Sequence, residues 1–143
     1  MSYRNVNPAG AKELLEGGED WTYVDVRTVE EFDAGHAPDA YNIPVAFRGP
    51  MGMELNPDFV DAMKRAFSAD AALVLGCAAG GRSARACEML VAEGFTKLAN
   101  MHGGYSGARD PSGQVTEAGW EACGFEVTSD SAPERTWSQL GQG

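Results

Sequence analysis

The chain has 143 residues, enough for one domain that buries roughly 68% of its unfolded surface without staples. With 21 acidic against 11 basic residues the formal net charge is −10, which argues against a nucleic-acid partner. Any small anionic substrate must then be attracted locally, against the field of the whole molecule.

In "NPAGAKELLEGG", Asn7 reads as an N-cap, Pro8 as the first helical residue and Gly17-Gly18 as the stop. "WTYVDVR" follows as a buried strand ending at Asp25 and Arg27. Thr28 and Glu31 have capping-box spacing, which predicts a short helix over Val29–Ala34. "AYNIP" is a short strand closed by Pro44, and residues 45–56 read as a loop rich in Gly, Pro and Met. Asn56-Pro57 opens a helix with Phe59, Val60, Met63 and Phe67 at helical spacing. "ALVLG" is a strand, residues 84–93 a helix ending at Gly94, and "KLANM" another strand. From Ser106 the pattern weakens, although Trp120 and Phe125 can dock a last segment. Residues 1–125 are expected to form one domain, and residues 126–143 a loosely ordered tail.

Strands alternating with helices predict an α/β fold, a parallel sheet with helices on both faces. Ligands bind such sheets beyond the carboxyl ends of the strands. Residues 25–27, 44–52, 76–85 and 102–105 all fall at that end. Three cysteines, an odd number with no C-x-x-C pair, argue against a disulfide framework and fit a reducing compartment. His36 and His102 sit in no ligand-like spacing, so no metal and no cofactor are expected. The start carries no apolar run suited to a signal peptide, and no stretch approaches about 20 apolar residues. The expectation is a cytoplasmic protein with no membrane partner.

The stretch "GCAAGGRSAR", residues 76–85, has three readings. Gly76, Gly81 and Ser83 match the spacing of a phosphate-binding loop, but Arg82 stands where that loop needs a lysine. A buried core cysteine is the plain reading, and it suits Cys87, which shares a helix face with Ala84, Leu90 and Val91. Cys123 has no local pattern. Cys77 differs, because two glycines and an arginine follow it. If the chain curls around Cys77, Gly80 and Gly81 permit the positive φ values that turn backbone amides inward. Those amides and the N-terminus of the next helix favour a thiolate there and can hold an anion. Arg82 can hold an oxyanion with two hydrogen bonds.

"VDVRTVEEFDAGHAPDAYNIP", then "CAAGGRSARACEMLVAEGF" and "HGGYSG", resemble a single-domain rhodanese over roughly residues 3–108. The likeness is greatest to the plant senescence-associated members and their bacterial relatives. It implies a rhodanese-like fold around a five-stranded parallel sheet, and sulfur transfer from thiosulfate. It implies that Cys77 is the nucleophile that becomes a persulfide. Ala78, Ala79, Gly80, Gly81, Arg82 and Ser83 would bind the substrate, through the loop amides and the Arg82 guanidinium, and Arg82 could instead stabilise the loop. Asp25, Arg27 and Glu31 would brace that loop, Glu31 having a capping-box duty as the alternative. His36 is expected to be structural. Two positions depart from the pattern: Asp39 replaces a glycine, and Ala108 a tryptophan near the site, with Tyr105, Phe47 and Trp120 as the candidate substitutes.

The expected partners are a small anionic sulfur donor, a thiophilic acceptor such as cyanide, and an acceptor protein if the domain works as a persulfide carrier. A phosphatase or arsenate reductase of the same fold is the other alternative. Its loop is C-x5-R, one residue longer than the span from Cys77 to Arg82.

Overall fold

The computed structural model describes residues 3–141. In chain order the elements are β1 (Arg4–Val6), α1 (Pro8–Glu16), β2 (Trp21–Asp25), α2 (Val29–Ala34), β3 (Tyr41–Asn42), β4 (Ala46–Gly49) and β5 (Gly52–Leu55). Then come α3 (Phe59–Ala66), β6 (Ala72–Gly76), α4 (Gly81–Ala92), β7 (Lys97–Met101), β8 (Ala108–Arg109), β9 (Val115–Glu117), a 3-10 turn (Pro133–Arg135) and α5 (Trp137–Leu140). The main sheet has five strands, ordered β1-β7-β6-β2-β3, and every pairing in it is parallel. This is the architecture expected from the alternating pattern.

Helices cover both faces. On one, Phe59, Ala62 and Met63 of α3 and Ala86, Cys87 and Leu90 of α4 pack on Val24, Leu73 and Leu75. On the other, Ala11 of α1, Phe32 of α2 and Trp120 pack with Tyr23, Val74, Ala99 and Met101. The split follows strand alternation, since neighbouring residues of one strand face opposite sides. β2 and β6 are buried throughout except near their starts, which is why they read as continuous apolar runs.

Local chemistry sets the helix starts. The Asn7 side chain accepts the Gly10 amide at 2.8 Å ahead of Pro8. Thr28 and Glu31 complete the anticipated capping box. The Asn56 side chain accepts the Asp58 amide at 2.9 Å, a turn that leads into α3. The helix expected over 84–93 starts earlier, at Gly81, capped by Gly80 at φ +113°.

Three segments differ from expectation. Residues 45–56 are not an irregular loop, because β4 and β5 pair antiparallel there, with Met51 at the exposed tip. β1 adds an edge strand on β7. Residues 126–141, expected as a loose tail, form a strap: Thr128 pairs with His36, and Trp137 and Leu140 pack against the α3/α4 core. Burying those two side chains provides the free energy that a loose tail would forgo. Residues 142–143 of that expected tail lie outside the described residues, as do residues 1–2 of the expected domain. Asp39 keeps the turn conformation a glycine would adopt, at φ +65°.

Candidate active site

The site forms at the carboxyl end of β6, where Gly76 lies beside Asp25 of β2. Cys77 follows, 2% exposed, and the chain turns around its sulfur before entering α4. The Gly80 amide donates to Cys77 Sγ at 3.0 Å. The amides of Ala78, Ala79, Gly81, Arg82 and Ser83 find no acceptor among the described residues. Three of these open α4, where helical geometry leaves the first N–H groups unpaired. The loop is therefore an anion-binding concavity at a helix N-terminus, with a thiol at its centre.

Ser83 was expected only as an amide donor, and its hydroxyl has a second place. It lies 3.5 Å from Cys77 Sγ, 3.2 Å from the Gly80 carbonyl and 2.5 Å from Asn100 Oδ1. With one proton to give, it donates best to Asn100, and its oxygen is then free toward the sulfur. Asn100 Nδ2 in turn donates to Asn5 Oδ1 at 3.0 Å. The polar Asn100 inside the apolar strand "KLANM" was the sequence signal for this contact.

Arg82 does not reach into the loop. Its Nη1 and Nη2 donate to Glu31 Oε1 and Oε2 at 2.8 and 3.0 Å, a fork that ties α4 to α2. In this arrangement the guanidinium braces the helix that follows the loop. Glu31 also accepts from the Thr28 amide and hydroxyl, so its capping and bracing duties coexist. Burial pushes the Glu31 carboxyl up, but the Arg82 hydrogen bonds, the Thr28 amide and the charge of Arg82 outweigh it and hold it at about 2. A carboxyl depressed in the fold adds stability above its ordinary value of 4.5, lost as pH falls toward 2. Glu31→Gln is expected to cost roughly 1–2 kcal/mol at pH 7 and to flatten the acid limb of urea-unfolding stability across that window. An unchanged acid limb would remove this role.

Asp25, at the end of β2, and Arg27, just after it, form a buried ion pair near the loop. Arg27 Nε donates to both carboxylate oxygens, at 3.0 and 3.1 Å, and Nη2 to Oδ2 at 2.7 Å. Nη2 also donates to the Gly35 carbonyl at 2.7 Å. Tyr105 lies over the guanidinium at 4.2 Å, and its amide donates to the Cys77 carbonyl at 2.7 Å. Tyr105 is therefore the aromatic that neighbours the loop. Phe47 pairs with Trp137, and Trp120 packs between Tyr23 and Phe125, so neither was found beside it. His36 is structural, its ring nitrogens 2.7 and 2.9 Å from the Phe32 and Asp130 carbonyls.

Ser106 completes the clamp by donating to the Ala78 carbonyl at 2.8 Å. The clamp passes over Gly104, at φ +58°, where an added Cβ would lie 2.4 Å from the Cys77 carbonyl and 2.6 Å from that of Ala78. Gly104→Ala is expected to lose at least about 2 kcal/mol and to lower Tm, because backbone must move at both loop carbonyls. A Tm within error of the parent would refute the clamp.

The other thiols differ. Burial and the nearby Glu88 and Cys77 push Cys87 up to about 12, which suits a core side chain. Cys123 is exposed, and all three cysteines are free. Among the described residues no three His, Cys, Asp or Glu side chains cluster to hold a metal, and no helix is long and apolar enough to cross a membrane.

A parallel sheet that presents a cysteine inside an anion-binding loop defines a class of α/β domain whose geometry suits a sulfur nucleophile. Within that class the chain belongs to the rhodanese-like domain family, whose model matches residues 7–110. It is 42% identical over 102 residues to thiosulfate sulfurtransferase 16, chloroplastic, of Arabidopsis thaliana, covering 71% of this chain and 83% of that protein. It is 45% identical over 96 residues to protein HIGH ARSENIC CONTENT 1, mitochondrial, of the same plant, covering 67% of this chain but 56% of that protein. The crystal structure of a rhodanese-like domain protein from Staphylococcus aureus matches with a TM-score of 0.57 at 26% identity, over 82% of this chain and all of that one. The crystal structure of Rv0390 from M. tuberculosis has the same fold, with a TM-score of 0.73 at 22% identity over 91% of this chain and 100% of that one.

Proposed function

We propose that the chain is a sulfurtransferase that takes the outer sulfur of thiosulfate, or of a similar anionic donor, onto Cys77 and passes it to a thiophilic acceptor. The observation that carries this reading is the Cys77 sulfur seated on the Gly80 amide, inside a ring of unengaged loop amides. The Cys77 thiolate attacks the outer sulfur, the donor's S–S bond breaks, and sulfite leaves with the electron pair. A nucleophile such as cyanide then attacks the terminal sulfur of the persulfide, and the Cys77 thiolate departs. The loop amides stabilise negative charge on the donor and on each sulfur in turn.

Intact mass after thiosulfate treatment tests this. A gain of one sulfur atom that needs Cys77 supports the reading, and no gain in the unaltered protein ends it. Delivery of the persulfide only to a partner protein would show as loading without turnover on small acceptors. Location in the cytoplasm is part of the proposal, supported by three unpaired cysteines, whereas the two plant relatives are named as chloroplastic and mitochondrial.

The name of the arsenic-related relative favours a second reading, arsenate reduction at Cys77. The span from Cys77 to Arg82 is one residue short of C-x5-R, and the Arg82 guanidinium is already held by Glu31. Arsenate-dependent oxidation of a thiol reductant that needs Cys77 would reverse this order.

A further inference from the structure

His102 and Glu117 lie side by side next to the Cys77 loop, with Nδ1 2.9 Å from Glu117 Oε1. The last pair of the parallel β6–β7 register is Leu75 with Asn100, and Cys77 and His102 each follow two residues later, just past the ends of β6 and β7. On its other side the His102 amide donates to the Val6 carbonyl of β1 at 2.9 Å, which ties this position to the edge strand. Gly80 packs directly on His102: a Cβ added there would lie 3.1 Å from His102 Cα. Gly80 is also the residue whose amide holds the Cys77 sulfur. His102 thus borders the loop that holds the nucleophile, and its side chain is 46% exposed. Neither the anion cradle nor the Asp25, Arg27 and Glu31 braces use it.

The carboxylate beside Nδ1 favours the ring proton on that nitrogen, as in a second-shell carboxylate–histidine pair. Nε2 then presents a lone pair, and among the described residues the ring's one polar contact is that of Nδ1 with Glu117. We propose that the His102–Glu117 pair is the general base that deprotonates a thiol acceptor as it attacks the Cys77 persulfide. The inference rests on the sulfurtransferase reading and adds the acceptor class, thiols that arrive protonated. In the step, His102 Nε2 takes the proton from R–SH and the R–S⁻ sulfur bonds to the outer sulfur of the persulfide. The persulfide S–S bond breaks, and the electron pair returns to Cys77 as thiolate. No oxidant or reductant beyond the two substrates is consumed. Histidine is the side chain suited to exchange a proton near neutral pH, and Glu117 stabilises the imidazolium that forms.

The test separates proton removal from support of the fold. Protein loaded with thiosulfate, its persulfide confirmed by mass, is mixed at one neutral pH with mercaptoethanol, a protonated alkyl thiol, or with nitrothiophenol, already a thiolate. His102→Gln is expected to lower the mercaptoethanol rate constant at least about tenfold more than the nitrothiophenol rate constant. Glu117→Gln, on a surface hairpin, moves the same ratio in the same direction by a smaller factor. Added imidazole restores the mercaptoethanol rate in His102→Ala. Equal losses with both acceptors would assign His102 a structural role and overturn the proposal, as would no loss with either. Failure of the unaltered protein to load sulfur would instead show at the mass step, and it would overturn the parent reading together with this one.

Discussion

Replacing Cys77 by serine is expected to abolish donor-dependent thiocyanate formation, by roughly 10⁴-fold or more, while leaving the fold in place. The hydroxyl can still accept the Gly80 amide that now reaches Sγ at 3.0 Å, and the site is small and buried, so the loop needs no rearrangement. What is lost is a polarisable nucleophile able to hold a second sulfur. The other thiols do not replace it. Cys87 is fully buried and held near 12, so it presents almost no thiolate at neutral pH. Cys123 is exposed but lies outside the loop and its amides. Intact mass resolves the cases: Cys77→Ser gains no sulfur, whereas Cys123→Ser gains one like the parent. Parent-level thiocyanate formation by Cys77→Ser would sink the mechanism.

Where a function is local, its residues could be read from the chain. The loop from Cys77 to Ser83 is contiguous, and its cysteine, glycines and helix start are visible together. The same holds for the Thr28–Glu31 capping box and the Asp25–Arg27 pair, each closed within a few residues. The order of β2, α2, β6, α4 and β7 followed from alternating apolar runs and caps, and with it the sheet type. What stayed hidden forms only on folding. The Arg82–Glu31 fork joins residues 51 positions apart, so a free arginine and a braced one look alike in sequence. β1 is three residues long and largely exposed, and it owes its strand geometry to β7. β5 is exposed at every position, with no buried face to impose alternation. The strap over residues 126–141 holds through isolated anchors, Thr128, Trp137 and Leu140, spaced too widely for a periodic signal.

Asp25→Ala is expected to be as damaging to the fold as Cys77→Ser is to the chemistry, and the reason is the partner left behind. Arg27 is 4% exposed, and without Asp25 its guanidinium keeps the Gly35 carbonyl, the Tyr105 ring and the more distant charge of Glu31. An uncompensated buried charge costs about 3–5 kcal/mol, a large part of the 5–15 kcal/mol typical of a domain. Arg27→Ala strands the carboxylate instead and is expected to cost a similar amount. The double replacement Asp25→Leu/Arg27→Met removes both charges and is expected to recover most of the loss, since a buried pair repays little beyond its own desolvation. Urea unfolding of the four proteins compares the single losses with that of the apolar pair, and single losses below about 1 kcal/mol would show that water reaches the pair. The double variant also separates folding from function. Tyr105 rests on the guanidinium and donates to the Cys77 carbonyl. A stable double variant that loads sulfur slowly would mean the ion pair is kept to hold Tyr105 and the loop. Loading at the parent rate would mean that the sheet and α4 hold the loop without it.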